Sequence, residues 1–356
     1  MSAAVRRLLS RIALALRLLG ALTTGLHAQD TQDVQAALPP ESRQFDFWIG
    51  EWDVNLRMLQ DDLTWRDSVQ AEAHIYPVLN GKAVLELWDS SSIKGFSLRH
   101  YDPAKDAWVL WLNWPSQNRS GSGSLEGTFR HGRGNFYASN DQPDGSRSIS
   151  RYSFNDITAD SLRWDDAYSK DGGRTWTNNW IMEFSRTAAR PELPPAGGEL
   201  HTFDGGTRCD LPQFRRYEFL SGRWEGQVQL EGQGSDEGVP ATLTGYRVLG
   251  GCVVLAFLRY ELDGVAHEVF HQVTWNTTAE RYELLLLDDE PSTPLRRMFS
   301  GAGSDELRFE SHRDDPGERF KLHIGDSGQG FEYTLERLES DGDAWVRQLS
   351  ASLRQP

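Results

Sequence analysis

From the Gly-x-Trp turn at Gly50 onward, apolar and polar positions alternate with a period of two. Trp52, Val54, Leu56 and Met58 fall on one side, while Asp53, Asn55 and Arg57 fall on the other. That alternation predicts a strand with one face on a core. The pattern returns after Gly222, where Trp224, Val228 and Leu230 oppose Glu225, Gln227, Gln229 and Glu231. A late strand of the first half puts Trp176, Asn178, Trp180, Met182 and Phe184 on one face. Its counterpart near the end of the chain puts Trp345, Arg347, Leu349, Ala351 and Leu353 there. Asn80-Gly81, Asp144-Gly145, Asp171-Gly172, Asp263-Gly264 and Asp341-Gly342 supply turn signals between short strands. Helix is expected only as single turns near residues 45–49 and 214–220.

The two halves are copies. Phe45-Asp46-Phe47-Trp48-Ile49-Gly50-Glu51-Trp52-Asp53 returns as Tyr217-Glu218-Phe219-Leu220-Ser221-Gly222-Arg223-Trp224-Glu225, 172 positions on. Tyr76-Pro77-Val78-Leu79-Asn80-Gly81 returns as Tyr246-Arg247-Val248-Leu249-Gly250-Gly251 at an offset of 170. A period this long marks a duplicated domain rather than a solenoid. The expected organisation is a leader at 1–28, a polar lead-in at 29–43 and a first barrel at 44–186. A Pro/Gly-rich linker follows at 187–213, then a second barrel at 214–354. The fold class is all-β: two tandem antiparallel up-and-down barrels, each of about eight or more strands.

Residues 1–28 carry Arg6, Arg7, Arg11 and Arg17, no acid, and an apolar stretch ending at Leu26-His27-Ala28. This is the pattern of a secretory signal peptide, with an organelle transit peptide as the alternative because Arg17 interrupts the apolar run. A secreted or periplasmic location is the expectation. No run reaches the ~20 apolar residues needed to span a bilayer as a helix. Loss of the four arginines takes the formal charge from −15 to −19. So acidic a surface repels phosphate backbones, so nucleic acid is not an expected partner. Cys209 and Cys252 are the two cysteines. In a secreted chain the simplest arrangement pairs them, and a buried free thiol at Cys252 is the alternative.

The Gly-x-Trp at the first strand, the meander and a basic residue ending the last strand together resemble the calycins, the superfamily of lipocalins and fatty-acid-binding proteins. The resemblance implies that Arg186 lies over Trp52, and Arg354 over Trp224, closing one end of each barrel. The longer phrase Phe-Asp-Phe-Trp-x-Gly-Glu-Trp-Asp, with Ser169-x-Asp171-Gly172-Gly173-x-Thr175-Trp176, resembles a family of secreted bacterial domains of unknown function. Fold resemblance is silent on chemistry. The Ser169–Trp176 segment also resembles the Asp-box of sialidase propellers. There the Asp and Ser tie a turn to its own backbone and the Trp packs inward. A calcium loop would need six or more oxygen ligands, so the structural role of Asp171 is preferred.

Candidate chemistry is sparse. His267-Glu268-Val269-Phe270-His271 matches the zinc-protease pattern His-Glu-x-x-His, which requires a helix. Here Val265, His267, Val269, His271, Val273 and Trp275 share one face at period two, which is a strand. His267 and His271 are therefore candidates to line a cavity, against the plainer reading of satisfied core or rim histidines. Ten of the thirteen tryptophans lie in the first half. Trp108 and Trp111 are candidate ligand walls, against the plainer reading of a filled core. Asp165 and Asp166, adjacent on a strand, face opposite ways and do not form a carboxylate pair. Arg347, predicted inward where the first half has Asn178, must meet a carboxylate, water or an anion if it is buried. No nucleophile–base set, phosphate loop, metal set or cofactor motif stands out.

The expected function is binding of a small apolar or amphiphilic molecule. The ligand-binding candidates are Arg347, His267, His271, Trp108, Trp111 and Asn178. The second barrel is the expected site, for an anionic amphiphile held by Arg347. A barrel-mouth enzyme (hydrolase, isomerase or lyase) acting on a hydrophobic substrate is the first alternative, and a filled interaction module the second.

Overall fold

The alternation along the first strand is realised in three dimensions. Trp52, Val54 and Leu56 are buried while Asp53 and Asn55 are exposed. The computed structural model describes residues 39–356 apart from 115–123, 142–144, 190–191, 201–208, 232–237, 290–295, 302–306, 312–318, 327–329 and 340–343. The leader expected at 1–28 lies outside the described residues.

Ten strands form the first barrel: β1 (Gly50–Leu59), β2 (Trp65–Val78), β3 (Ala83–Ser90), β4 (Lys94–Asp102), β5 (Ala107–Asn113), β6 (Ser124–Arg130), β7 (Arg133–Asp141), β8 (Arg147–Asn155), β9 (Ser161–Ser169) and β10 (Thr177–Ala188). Each pairs antiparallel with its sequence neighbours, and β10 returns to β1 to close the cylinder. After a two-residue strand β11 (Gly198–Glu199), the second barrel repeats the plan. Its strands are β12 (Gly222–Leu230), β13 (Val239–Val248), β14 (Val253–Leu262), β15 (Val265–Asn276), β16 (Arg281–Asp288), β17 (Arg296–Gly301), β18 (Leu307–Ser311), β19 (Phe320–Asp326), β20 (Gly330–Leu338) and β21 (Trp345–Arg354). Pairing of β21 with β12 completes that ring, and β11 adds parallel to β13. The protein is thus all-β, two closed antiparallel ten-stranded barrels in tandem. Closure removes the unpaired edges an open sheet would present. Among the described residues, no helix is long and apolar enough to cross a membrane.

One end of barrel one is plugged from the N-terminal side. The 3-10 turn Asp46–Trp48 carries Phe45 and Trp48 into the lumen. There Phe45 meets Trp108 edge-on at 4.7 Å, Phe129 at 4.9 Å and Phe154 at 5.2 Å. Arg186 lies with its guanidinium carbon 3.9 Å from the Trp52 ring centroid. It donates to the carbonyls of Ile49 at 2.7 Å, Phe47 at 2.6 Å and Ala159 at 2.7 Å. A side chain at Gly50 (φ +150°) would meet Arg186 Nη1 at 2.1 Å, so the glycine of the Gly-x-Trp turn makes the room for that guanidinium.

Barrel two does not repeat this arrangement. Arg354 is exposed and stands in register with Glu225, one residue past Trp224 and on the outer face. Trp224 packs against Phe331 at 5.1 Å instead, and the space beside Gly222 is open. The expectation that Arg354 covers Trp224 is corrected: the register of β12 with β21 carries the arginine outward. Cys209 and Cys252 form a disulfide, with Cα atoms 4.9 Å apart.

The Ser169–Trp176 turn is self-tied. Asp171 accepts from the amides of Arg174 (3.0 Å) and Thr175 (2.9 Å) and from the hydroxyls of Ser169 (2.8 Å) and Thr175 (2.7 Å). Those donors hold its carboxyl well below the usual carboxylate range. Trp176 does not join the lumen. It lies under Arg151, 4.4 Å from guanidinium to ring centroid, beside the exposed Tyr137.

The barrels pack side by side. Leu85, Leu87, Phe96 and Leu98, outward from barrel one, share one apolar cluster with Tyr246, Leu255, Phe257 and Phe270 of barrel two. The turn after β2 clasps the second barrel. The amide of Leu79 donates to Glu268 Oε1 at 2.5 Å. Asn80 Nδ2 donates to Asp289 Oδ2 at 2.8 Å, and Lys82 Nζ bonds the Asp289 carbonyl. Leu79 and Asn80 both have φ near +55°, and Gly81 follows at +83°. The tight turn this makes is what aims three donors at one neighbour.

Candidate functional site

Strands β3 and β4 are buried along most of both faces, because one face lines barrel one and the other meets barrel two. Their lumen-facing positions include charge. Glu86 and Arg99 are both nearly inaccessible and pair at 3.3 Å, Arg99 Nη2 donating to Glu86 Oε2. Ser97 Oγ donates to the same oxygen at 2.6 Å. The Arg99 guanidinium carbon lies over Trp48, 3.9 Å from the ring centroid. Burial pulls its pKa down to about 10, opposed by the charge of Glu86, so Arg99 is still a cation at neutral pH.

Trp48, Glu86 and Arg99 line a cavity together with Trp88, Leu112, Trp114, Trp164, Met182 and Phe184. Its volume is about 10 Å³, room for roughly one water. Above it Trp88 packs edge to face on Trp114 at 5.7 Å and on Trp180 at 6.2 Å, Trp164 does so on Trp180 at 6.3 Å, and the half-buried Trp114 and Trp180 meet at a shallow tilt at 5.5 Å. The hairpin loops that follow β1, β3 and β9 lie at this open end, opposite the Trp52–Arg186 closure. Asp166, cross-strand from Trp180, accepts a hydrogen bond from Asn179 at 3.2 Å. Burial raises its pKa to about 6, against the lowering by Asn179.

On the cavity lining the unmet groups are donors: Arg99 Nε and Nη1 and the indole N–H groups of Trp48 and Trp88 are buried without an acceptor among the described residues, while beside Asp166 the Trp180 N–H and the acceptor Asn179 Oδ1 are also unmet. A guanidinium carries five N–H donors, and one direct bond of 3.3 Å uses only one of them. Buried donors of this kind are costly until water or a bound molecule meets them. The lumen of barrel one therefore holds a donor-rich, aromatic-walled recess.

The residues singled out from the sequence are mostly elsewhere. Arg347 is exposed, because a β-bulge at Gln348 reverses the inward parity of β21 ahead of Leu349. A second bulge, at Asn179, turns Asn178 to the outer face toward Asp165, 3.5 Å away, and aims Asn179 at Asp166. Trp108 is core at the plugged end, its indole donating to the Glu41 carbonyl at 3.0 Å. Trp111 faces outward from β5, opposite in parity to Leu112 and Trp114, and does not line the cavity. His271 is a satisfied core histidine: Nε2 lies 2.9 Å from Tyr333 Oη, and Nδ1 lies 3.3 Å from the Ala256 carbonyl. His267 instead stacks on Tyr260 at 5.2 Å and faces Asp289 at 3.5 Å, so the two histidines do not form a joint site. The anion site expected around Arg347 in barrel two is thus not assembled. Asp165 and Asp166 do face opposite ways, the first outward to Arg163 and Asn155, the second inward. Glu86 and Arg99 left no period-two signal in the sequence, because β3 and β4 are buried on both faces.

The sequence matches no family model and no curated protein. Solved structures of distant likeness include the following two. A protein of unknown function from the DUF3598 family of Nostoc punctiforme PCC 73102 is 11% identical, over 90% of this chain and 100% of that one, with a TM-score of 0.25. Kievitone hydratase from Nectria haematococca is 6% identical, over 90% and 93% of the two chains, with a TM-score of 0.14. At such scores neither likeness carries an argument about this protein.

Proposed function

We propose that the protein is a secreted or periplasmic binding protein of calycin-like build that takes a small, mostly apolar molecule at the mouth of barrel one. One observation carries this reading: Arg99, buried and charged, lines the tryptophan-walled recess with two donors unmet. Aromatic walls supply most of the contact area for such a ligand, and a few fixed polar groups orient it. The recess itself is small, so the half-buried Trp114 and Trp180 swing aside as the ligand enters. Barrel two, with His271 and Tyr333 bonded inside its core, serves as the rigid support. Arg186 over Trp52 favours the calycin-like reading, while the basic, acid-free leader and the disulfide favour an oxidising compartment.

Native mass spectrometry of the full-length protein from its own host tests the proposal. The expected result is a retained small molecule on the wild type that is lost from Arg99→Met. Equal retention by both proteins would place the ligand elsewhere.

A further inference from the structure

The charge balance inside barrel one bears on what kind of polar group the recess accepts. Arg99 is the one cation among the residues that line it, and Glu86 already supplies the matching negative charge at 3.3 Å. Ser97 Oγ donates to the same Glu86 oxygen at 2.6 Å, so that carboxylate is held by two donors on β4. The side chain of Asp166 adds a second carboxyl at the same end of the barrel, beside Trp180. A ligand carboxylate placed on Arg99 would therefore be a further negative charge sharing one guanidinium in a site that water screens poorly. On the cavity lining itself, by contrast, the unmet groups among the described residues are donors: Arg99 Nε and Nη1, with the indole N–H of Trp48 and Trp88. A carbonyl, ether or hydroxyl oxygen satisfies them without adding charge.

Resting on the reading of barrel one as the binding site, we infer that its ligand is uncharged and presents a neutral oxygen acceptor to Arg99, with Glu86 selecting against anions. The residue pattern thus works as a filter. Arg99 attracts the oxygen, and Glu86 cancels the long-range pull that a lone arginine would exert on any carboxylate.

A matched pair of probes tests this: 2-acetylnaphthalene and 2-naphthoate, which share a ring frame and differ in a methyl ketone against a carboxylate. Binding to the full-length protein is followed at pH 8 by equilibrium dialysis. The expected result is at least a tenfold preference for the ketone, and a Glu86→Gln variant in which that preference shrinks or inverts. Equal or tighter binding of 2-naphthoate by the wild type would overturn the inference and leave the binding site itself standing. Saturable binding of neither probe would count against the binding site as well. Should Glu86→Gln fail to fold, Arg99→Met serves in its place, and the expected result is loss of ketone binding with no gain for the carboxylate.

Discussion

Burial of single titratable groups sets how this protein responds to acid. His271 inside barrel two and His100 on β4 are both pushed down to about 4 by desolvation. Unfolded, each imidazole takes up its proton near the ordinary 6.5. Between those values the unfolded chain holds the more protons, so stability falls as pH drops from 6.5 to 4 and levels off below. The slope is on the order of 1 kcal/mol per histidine per pH unit. Asp166 acts in the opposite sense. Its folded pKa of about 6 lies above the unfolded 3.8, so between them the folded state binds the more protons and gains stability as pH falls. Urea midpoints measured from pH 7 to pH 4 are expected to decline in the wild type and to decline more steeply in Asp166→Asn. A flat profile in the wild type would mean that the histidines are not buried as described.

Strands explain both what the sequence made legible and what it hid. The meander, the duplication and the Gly-x-Trp turns could be read because one face of β1 and of β12 meets water, which preserves a period-two pattern. Glu86 and Arg99 were hidden because β3 and β4 bury both faces, and a strand with two dry faces shows no alternation. Arg347 and Asn178 were misplaced by one-residue bulges, which no periodicity argument detects and which reverse every side chain beyond them. Register also separates the two barrel ends. Arg186, with three carbonyl acceptors and the Trp52 face, is expected to cost about 1–2 kcal/mol of barrel-one stability when replaced by alanine. Arg354→Ala, on an exposed outer position, is expected to change stability by less than about 0.5 kcal/mol. Denaturant unfolding of the two variants makes the comparison, and equal losses would contradict the described register of β21.

At the scale of the whole molecule, the clasp between barrels makes two domains respond as one. Glu268 is buried on barrel two and holds both the Leu79 amide of barrel one and Arg259 Nε at 2.5 Å. Glu268→Leu leaves that amide without an acceptor inside the interface, a loss of about 2 kcal/mol. Calorimetry is expected to show one unfolding transition for the wild type and two for the variant, with the first several degrees lower. A single unshifted transition in the variant would show that the apolar contact alone couples the barrels. The same side-by-side packing buries the back of β3 and β4 and so fixes the strands that carry Glu86 and Arg99. Barrel two thereby supports the recess without lining it.

Equilibrium dialysis of 2-acetylnaphthalene against three proteins decides which barrel holds the ligand. Wild type, Trp114→Ala and Arg347→Ala are compared at one pH and ionic strength. Binding at the mouth of barrel one requires that Trp114→Ala weaken affinity at least about tenfold, since it removes one wall of the recess. Arg347→Ala, exposed on the other barrel, should bind as the wild type does. Weakened binding in Arg347→Ala, with none in Trp114→Ala, would contradict the account and return the site to barrel two.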